Sequence, residues 1–156
     1  MIGVVASAGG LTALKQLCAE LDTLSGSSII IAQHVSPTHH SQLAELLETG
    51  TRRPVETAKS GVKPKPGSIY VIPPGRDAVV NSGVIRLRKP DPEASAHPSG
   101  DRLLVSLASQ CEERAVAVVL SGTGQDGSTG ARAIKAAGGI VLVQDPDTAQ
   151  YDGMPR

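Results

Sequence analysis

Aromatic side chains are nearly absent from this sequence, which has two Tyr, no Phe and no Trp among its 156 residues. The hydrophobic content of 40% therefore comes almost wholly from Ala, Val, Ile and Leu, and the core must be aliphatic. Proteins that bind single-stranded nucleic acid commonly stack bases on aromatic rings. The scarcity of such rings argues against a nucleic-acid or carbohydrate site.

Excess charge and clustered cysteines are also absent. Lys plus Arg number 15 and Asp plus Glu number 15, so bulk charge favours neither a nucleic-acid partner nor an anionic membrane. Cys18 and Cys111 lie far apart and form no CxxC or Cys/His cluster, which argues against a disulfide framework and a zinc site. We therefore predict no metal, no cofactor and a reducing, cytoplasmic setting.

Long apolar runs are missing too. The run at residues 2–6 is far shorter than the roughly 20 residues that a membrane-spanning helix needs, so no membrane insertion is expected. A chain of this length is typical of one domain with its own core.

Short apolar runs alternate with segments of helical spacing, which predicts an α/β fold with a doubly wound, mostly parallel sheet between two helical layers. The predicted strands cover residues 2–6, 29–32, 115–120 and 140–143, and the predicted helices begin near residue 11 and cover about 40–49, 100–112 and 131–137. Because the strands are continuously apolar, we expect them to be buried on both faces.

The middle of the chain has a different character. Five prolines punctuate short β-type pieces in residues 54–89, and Asn81-Ser82-Gly83 between two apolar runs is a hairpin signal. We predict a β-rich insertion with a hairpin at one edge of the fold, followed by a polar loop over residues 90–98.

Three residues of complementary chemistry follow predicted strands. Ser7 follows the first strand, His34 the second, and Asp126 lies in the turn after the strand at residues 115–120. Ligands of open parallel sheets bind at the carboxyl ends of the strands, above all where the strand order reverses. A serine nucleophile needs a base, and a carboxylate orients that base, so the three residues predict a catalytic triad.

Glycine turns supply candidate oxyanion donors at the same edge. Gly9 and Gly10 lead into the first helix and leave main-chain amides, such as that of Ala8, near Ser7 at the positive end of the helix. The cluster Gly122-Thr123-Gly124 could bring a second amide to the same point.

Each residue also has an ordinary structural interpretation. Ser7 fits a helix N-cap, His34 a hydrogen-bonded histidine at a strand end, and Asp126 a turn residue or helix cap. Only their coincidence at one sheet edge favours catalysis. Asp77 and Asp145 are weaker substitutes for Asp126.

The other polar and sulfur-containing residues of note have structural interpretations. Asp101 reads as a helix cap, a metal site from His39, His40 and His97 has little support, and the two cysteines fall on apolar helix faces.

Six short segments resemble, in order, the signatures of the CheB-type chemotaxis methylesterase domain. They are Ser7-Ala8-Gly9-Gly10, Gln33-His34, Tyr70-Val71-Ile72-Pro73-Pro74-Gly75, Pro98-Ser99-Gly100-Asp101, Leu120-Ser121-Gly122-Thr123-Gly124-Gln125-Asp126-Gly127 and Gly153-Met154-Pro155. The resemblance runs over essentially the whole chain.

The resemblance implies a serine hydrolase that removes methyl esters from glutamate side chains on the cytoplasmic helices of chemoreceptors, with glutamine deamidation as a related activity. It places the family's nucleophile, histidine and aspartate on Ser7, His34 and Asp126, and an oxyanion amide on Thr123. A methyltransferase domain, in the same chain or in a partner, is compatible with it.

The chain departs from the family pattern at four points. Val5 stands where many members have Gly, Thr123 where Met is frequent, and His97 where an Arg often precedes Pro-Ser. Members usually continue into a closing helix, so we expect the domain to extend past Arg156. No receiver domain is expected within residues 1–156.

Two alternatives stay open. A nucleotide-binding α/β module could cradle phosphate at Ser7-Ala8-Gly9-Gly10, although the chain lacks GxGxxG, a Walker lysine and an acidic residue after the second strand. The other alternative is a catalytically inactive interaction domain.

Overall fold

A six-stranded parallel sheet forms the centre of the protein. The computed structural model describes residues 1–21, 26–35, 42–94 and 96–156. The sheet has the order β3-β4-β2-β1-β7-β8, and a separate antiparallel pair is formed by β5 and β6. The strands are β1 (Ile2–Ala6), β2 (Ile29–Gln33), β3 (Val55–Thr57), β4 (Ile69–Val71), β5 (Asp77–Asn81), β6 (Val84–Arg88), β7 (Val116–Val119) and β8 (Ile140–Val143).

Helices cover the sheet on two sides and complete the predicted three-layer α/β architecture. They are α1 (Gly10–Glu20), α2 (Leu43–Glu48), α3 (Gly100–Cys111) and α4 (Ser128–Ala136). None of the described helices is both long and apolar enough to span a membrane. The predicted helix at residues 40–49 is present from Leu43, and its first two residues lie outside the described part of the chain.

Alternate residues of the central strand β1 point into two separate cores. Val4 and Ala6 lie in a cluster with Leu14 of α1 and Leu47 of α2. Val5 lies in the opposite cluster with the leucines of α3. This alternation follows from the strand period of two, and it explains why β1 is apolar at every position.

The proline-rich middle region has two structural parts. β3 and β4 extend the main sheet in parallel beyond β2, at one of its edges. The predicted hairpin is present as β5 and β6, and Val80 and Ile85 lie in the same core cluster as the leucines of α3. The sequence indicated one insertion because short strands and prolines look alike in both parts.

The last strand of the sheet is less buried than expected. Ile140, Leu142 and Val143 are 56%, 53% and 48% exposed. Among the described residues, β8 is an edge strand that pairs only with β7, and Val141 is the one residue of β8 that packs against the core cluster containing the leucines of α3. The expectation that every strand is covered on both faces is therefore wrong for β8.

Candidate active site

The strand order places Ser7 and His34 side by side at the carboxyl ends of the central strands. β1 lies between β2 and β7, and Ala6 pairs in register with Gln33, so Ser7 and His34 leave adjacent strands side by side. The amide of His34 donates to the carbonyl of Ala6 (2.9 Å), and the amide of Ser7 donates to the carbonyl of Ser121 after β7 (3.0 Å). The chain continues to opposite sides of β1 through β2 and β7, so this edge is the switch point where ligands bind in such sheets.

His34 and Asp126 form a direct hydrogen bond. The Nε2 atom of His34 lies 2.7 Å from Oδ2 of Asp126, and the two side chains are only 12% and 7% exposed. An ionised carboxylate can only accept, so Nε2 carries the proton and the lone pair of the neutral imidazole is on Nδ1. A free proton acceptor is what a general base beside Ser7 requires.

The carboxylate of Asp126 receives further hydrogen bonds from the start of α3. The amides of Gly100 and Asp101 donate to it at 2.6 and 3.0 Å, and the Ser99 hydroxyl lies 3.4 Å from it. Burial alone would raise the pKa of Asp126, but the hydrogen bonds from His34, Asp101 and Gly100 outweigh burial and hold this pKa below its ordinary value of 3.8. Asp126 is therefore ionised at neutral pH.

The bonds from these amides to Asp126 are not predicted by the sequence patterns. The available signal was the Pro98-Ser99-Gly100-Asp101 segment, whose glycine has no room for a side chain. A Cβ on Gly100 would overlap the methyl groups of Val5 and lie 3.1 Å from Oδ2 of Asp126. Val5, which departs from the family pattern, thus packs beneath the segment that holds Asp126.

Ser7 does not cap the helix that follows it. Gly9 is the N-cap of α1 with φ 72°, and α1 begins at Gly10. The carbonyl of Ser7 accepts from Nε2 of Gln33 (2.8 Å) and from the amide of Gly10 (2.9 Å). Within the described part of the chain, the Ser7 hydroxyl makes no hydrogen bond, which leaves it free to turn toward His34.

Gln33 is a further residue of the site, to which the sequence patterns assigned no role of its own. Its amide group bridges the carbonyls of Ser7 and His34, at 2.8 and 3.2 Å. A side chain that holds both residues fixes their spacing. The signal was its place directly before the histidine at the end of β2.

The turn after β7 and the residues 150–155, here called the terminal segment, form the other wall of the site. A Cβ on Gly122 would lie 2.7 Å from the Cβ of Ser7 and would overlap Sδ of Met154. The Gly122 amide donates to Tyr151 (3.0 Å), and the Met154 amide donates to Gly122 (2.9 Å). Gly122 must therefore lack a side chain for Ser7 and Met154 to approach it from both sides.

The main-chain amides of Ala8 and Thr123 are the expected oxyanion donors. Like several other amides of these two turns, they make no hydrogen bond to the described residues. The Ala8 carbonyl accepts from the hydroxyl of Ser121 (2.9 Å), which fixes the orientation of that turn.

The substitutes considered for Asp126 have other partners. Asp77 is fully buried and accepts from the amide of Ser99 (2.9 Å) and from Arg102 (2.8 Å), with His97 at 3.3 Å. Asp145 accepts from the amide of Asp147 in a short 3₁₀ turn. Neither carboxylate contacts His34.

The remaining candidates are the histidines His39, His40 and His97. His39 and His40 lie outside the described residues. In residues 1–21, 26–35, 42–94 and 96–156, no group of His, Cys, Asp and Glu side chains could hold a metal ion.

Comparison with known proteins identifies the family. The model of the CheB methylesterase family matches residues 2–156. The chain belongs to the CheB methylesterase family. Among its relatives, "Protein-glutamate methylesterase/protein-glutamine glutaminase 3" of Myxococcus xanthus is 36% identical over 156 residues, which are 100% of this chain and 44% of that protein. The "Protein-glutamate methylesterase/protein-glutamine glutaminase of group 3 operon" of Rhizobium meliloti is 34% identical over 158 residues, covering 100% of this chain and 44% of that protein.

A solved structure of the same family has the same fold. The Thermotoga maritima CheB methylesterase catalytic domain superposes with a TM-score of 0.90 at 29% identity and covers 99% of this chain and 84% of that one. The chain thus spans less than half the length of the two relatives named above, but most of the catalytic domain of this structure.

Proposed function

We propose that this member of the CheB methylesterase family hydrolyses methyl esters of glutamate side chains with Ser7 as nucleophile, His34 as general base and Asp126 as the orienting acid. The observation that carries this proposal is the buried hydrogen bond between His34 and Asp126, made beside Ser7 at the switch point of the sheet. A histidine that only ends a strand, or a serine that only caps a helix, would not require a buried carboxylate bonded to the histidine beside the serine.

The first half of the reaction forms an ester between substrate and enzyme. His34 Nδ1 takes the hydroxyl proton of Ser7 while Oγ attacks the ester carbonyl carbon, and the carbonyl π electrons move onto oxygen. The amides of Ala8 and Thr123 are the proposed donors to this oxyanion. The C–O bond to the methoxy group then breaks, and His34 returns the proton so that methanol leaves.

The second half releases the carboxylate. His34 removes a proton from water, the hydroxide attacks the acyl-Ser7 carbonyl, and the proton returns to Ser7 as the ester breaks. A glutamine side chain can follow the same path with ammonia as the leaving group, which is consistent with the double names of the relatives. Asp126 stays ionised throughout and stabilises the imidazolium that forms in both halves.

The substrates and partners are part of the same proposal, because the chain spans only 44% of either relative. We propose methylated cytoplasmic helices of chemoreceptors as substrates, a cytoplasmic location, and a methyltransferase domain as a further partner. Residues 1–156 would supply the catalytic domain.

The site geometry disfavours the nucleotide-binding alternative. Gln33 and His34 end the strand where a ribose-binding acid would be expected, and both side chains are already bound to Ser7 and Asp126. The first turn of α1 carries no lysine or arginine to meet a phosphate.

A fluorophosphonate probe tests the proposal directly. In the full-length protein, the probe should label wild type and fail to label Ser7→Ala and His34→Ala, because only an activated serine hydroxyl attacks it. Ser109→Ala, an exposed serine of α3, is the matched control and should label as wild type does.

Folding of each variant is checked by circular dichroism. A folded wild type that takes up no label would contradict the hydrolase proposal and support the inactive interaction domain. Thermal stabilisation by a nucleotide would support the nucleotide-binding alternative.

A further inference from the structure

Two aspartates link the N-termini of α3 and α4, in addition to Ser99, which is the N-cap of α3 itself. The carboxylate of Asp126, just before α4, accepts from the amides of Gly100 and Asp101 in the first turn of α3. In return, Oδ1 of Asp101 in α3 accepts from the amides of Gly127 and Gly130 at the start of α4, at 3.0 and 2.7 Å.

The N-terminus of α4 depends on Asp101 because its own N-cap has no side chain. The N-cap is Gly127, with φ 98° and no side-chain hydrogen bond, and Gly130 is the third helical residue. A capping side chain normally accepts from the amide of the second or third helical residue, and a capping-box acid reaches back to the amide of the N-cap. Asp101 makes both bonds from another helix.

The two helices approach closely enough to make this exchange specific. A Cβ on Gly130 would overlap Cβ of Leu104 and lie 3.3 Å from Cα of Asp101. Because Gly130 has no side chain, α4 lies close against Leu104 and Asp101 of α3, and the carboxylate of Asp101 reaches the Gly127 amide directly. Gly127 directly follows Asp126 in the chain. The hydrogen bond from the Gly127 amide to Asp101 therefore fixes the main chain next to Asp126, which binds His34.

We infer that Asp101 is a positioning residue for the reaction, which aims Asp126 at His34 by capping α4. This inference rests on the proposed function. Asp101 does not touch the reacting atoms, and its effect passes through the main chain of Gly127 and through its own amide, which donates to Asp126. Its role goes beyond that of the ordinary cap expected from the sequence.

Two substitutions separate the hydrogen bonds of Asp101 from its charge. Asp101→Asn keeps an oxygen that can accept from both amides, so it should retain most of the wild-type kcat. Asp101→Ala removes both bonds and should lower kcat for methyl ester hydrolysis by up to about a hundredfold with KM unchanged, because a shift of about 1 Å in a catalytic group has effects of that size.

The matched control is Ala136→Gly, an exposed substitution in the last turn of α4. Glycine weakens the helix without contacting Asp101 or Gly127, so it should lower Tm while leaving kcat unchanged. If Asp101 were merely structural, Asp101→Ala and Ala136→Gly would affect kcat alike at equal loss of Tm.

A spectroscopic readout keeps the inference independent of activity. In the ¹⁵N-labelled protein with Ser7→Ala, the Nε2 proton of His34 should give a downfield resonance from its hydrogen bond to Asp126. Asp101→Ala should shift or broaden this resonance, and Asp101→Asn should restore it. An unchanged resonance in Asp101→Ala, in a folded protein, would overturn the inference, whereas wild type without hydrolysis but with this pattern would overturn only the proposed function.

Discussion

Asp126 is the residue whose surroundings explain most about the site. Its two oxygens accept hydrogen bonds from His34 and from the amides of Gly100 and Asp101 at the start of α3. The carboxylate therefore faces the imidazole in one orientation. This orientation fixes which imidazole nitrogen carries the proton. Asp126 thus acts on His34 through the orientation of its carboxylate as well as through its charge.

Asp126→Asn tests that geometry. The amide can donate to Nε2 of His34 and so favour the wrong tautomer, and we expect turnover to fall by about 10⁴, as in a triad that loses its carboxylate. Steady-state hydrolysis of a methyl ester measures the change. Asp147→Asn, which alters an exposed carboxylate far from His34, should have no effect. A mild loss in Asp126→Asn would mean that another acid orients the histidine.

Gly122→Ala tests the wall formed by the terminal segment. The added methyl group would overlap Met154 and lie 2.7 Å from the Cβ of Ser7, so either the terminal segment or Ser7 must move. We expect labelling by a fluorophosphonate to fall at least tenfold, on the order of the effect of a small displacement of a catalytic group. Gly26→Ala, with nothing within 4 Å of the new Cβ, is the control. Equal labelling in the two variants would contradict close packing at Ser7.

At the scale of elements, the most instructive feature is the hairpin of β5 and β6. Its strands pair from Asp77 with Arg88 to Asn81 with Val84, which leaves the two-residue turn Ser82-Gly83. Both turn residues have positive φ, 50° and 73°. Two-residue hairpin turns of this kind prefer Asn-Gly, because asparagine tolerates the left-handed region better than serine.

Ser82→Asn should therefore stabilise the protein. We expect a gain of about 0.5 kcal/mol in the free energy of unfolding, within the usual range for an improved turn residue. Chemical denaturation measures it, and Ser82→Ala, which lacks a polar group suited to positive φ, should not be stabilised. Hydrolysis should be unchanged, since Ser82 is exposed and its hydroxyl donates to Asn81 within the hairpin. Equal stability of the two variants would contradict the turn assignment.

The sequence predicts four strands of the parallel sheet, β1, β2, β7 and β8, and the placement of Ser7, His34 and Asp126, because both depend on local patterns. Apolar runs identify strands, and the residues that follow parallel strands must share an edge. It does not predict the bonds from Gly100 and Asp101 to Asp126, or from Gln33 to Ser7, since these join residues 25 or more positions apart. The exposure of β8 could not be predicted either, because an apolar run does not reveal whether its strand lies at an edge.

At the scale of the whole molecule, the ionised site contributes to stability in a pH-dependent way. The pKa of Asp126 is lower in the folded protein than its ordinary 3.8, so the folded state binds this proton less readily than the unfolded chain does. The stabilisation is fully present above pH 3.8 and is lost as pH falls below 3.8 through the folded pKa.

Acid unfolding of wild type and Asp126→Asn tests this linkage. The difference in free energy of unfolding between them should change as pH falls below 3.8, with wild type losing stability more steeply than Asp126→Asn. The same comparison with Asp147→Asn, an exposed carboxylate, should show a smaller change. Parallel curves for wild type and Asp126→Asn across the acid range would contradict the lowered pKa.

The position of the site in the strand order also determines how the site is lost when the protein unfolds. Ser7 and His34 leave the two strands at the centre of the sheet, and every residue of β1 is buried. Central buried strands usually open only with global unfolding, whereas edge strands such as β3 and β8 can fray at lower cost. The proposed catalytic residues Ser7 and His34 therefore share one folding unit with the cooperative core, and on heating the proposed hydrolysis should persist until the molecule unfolds as a whole.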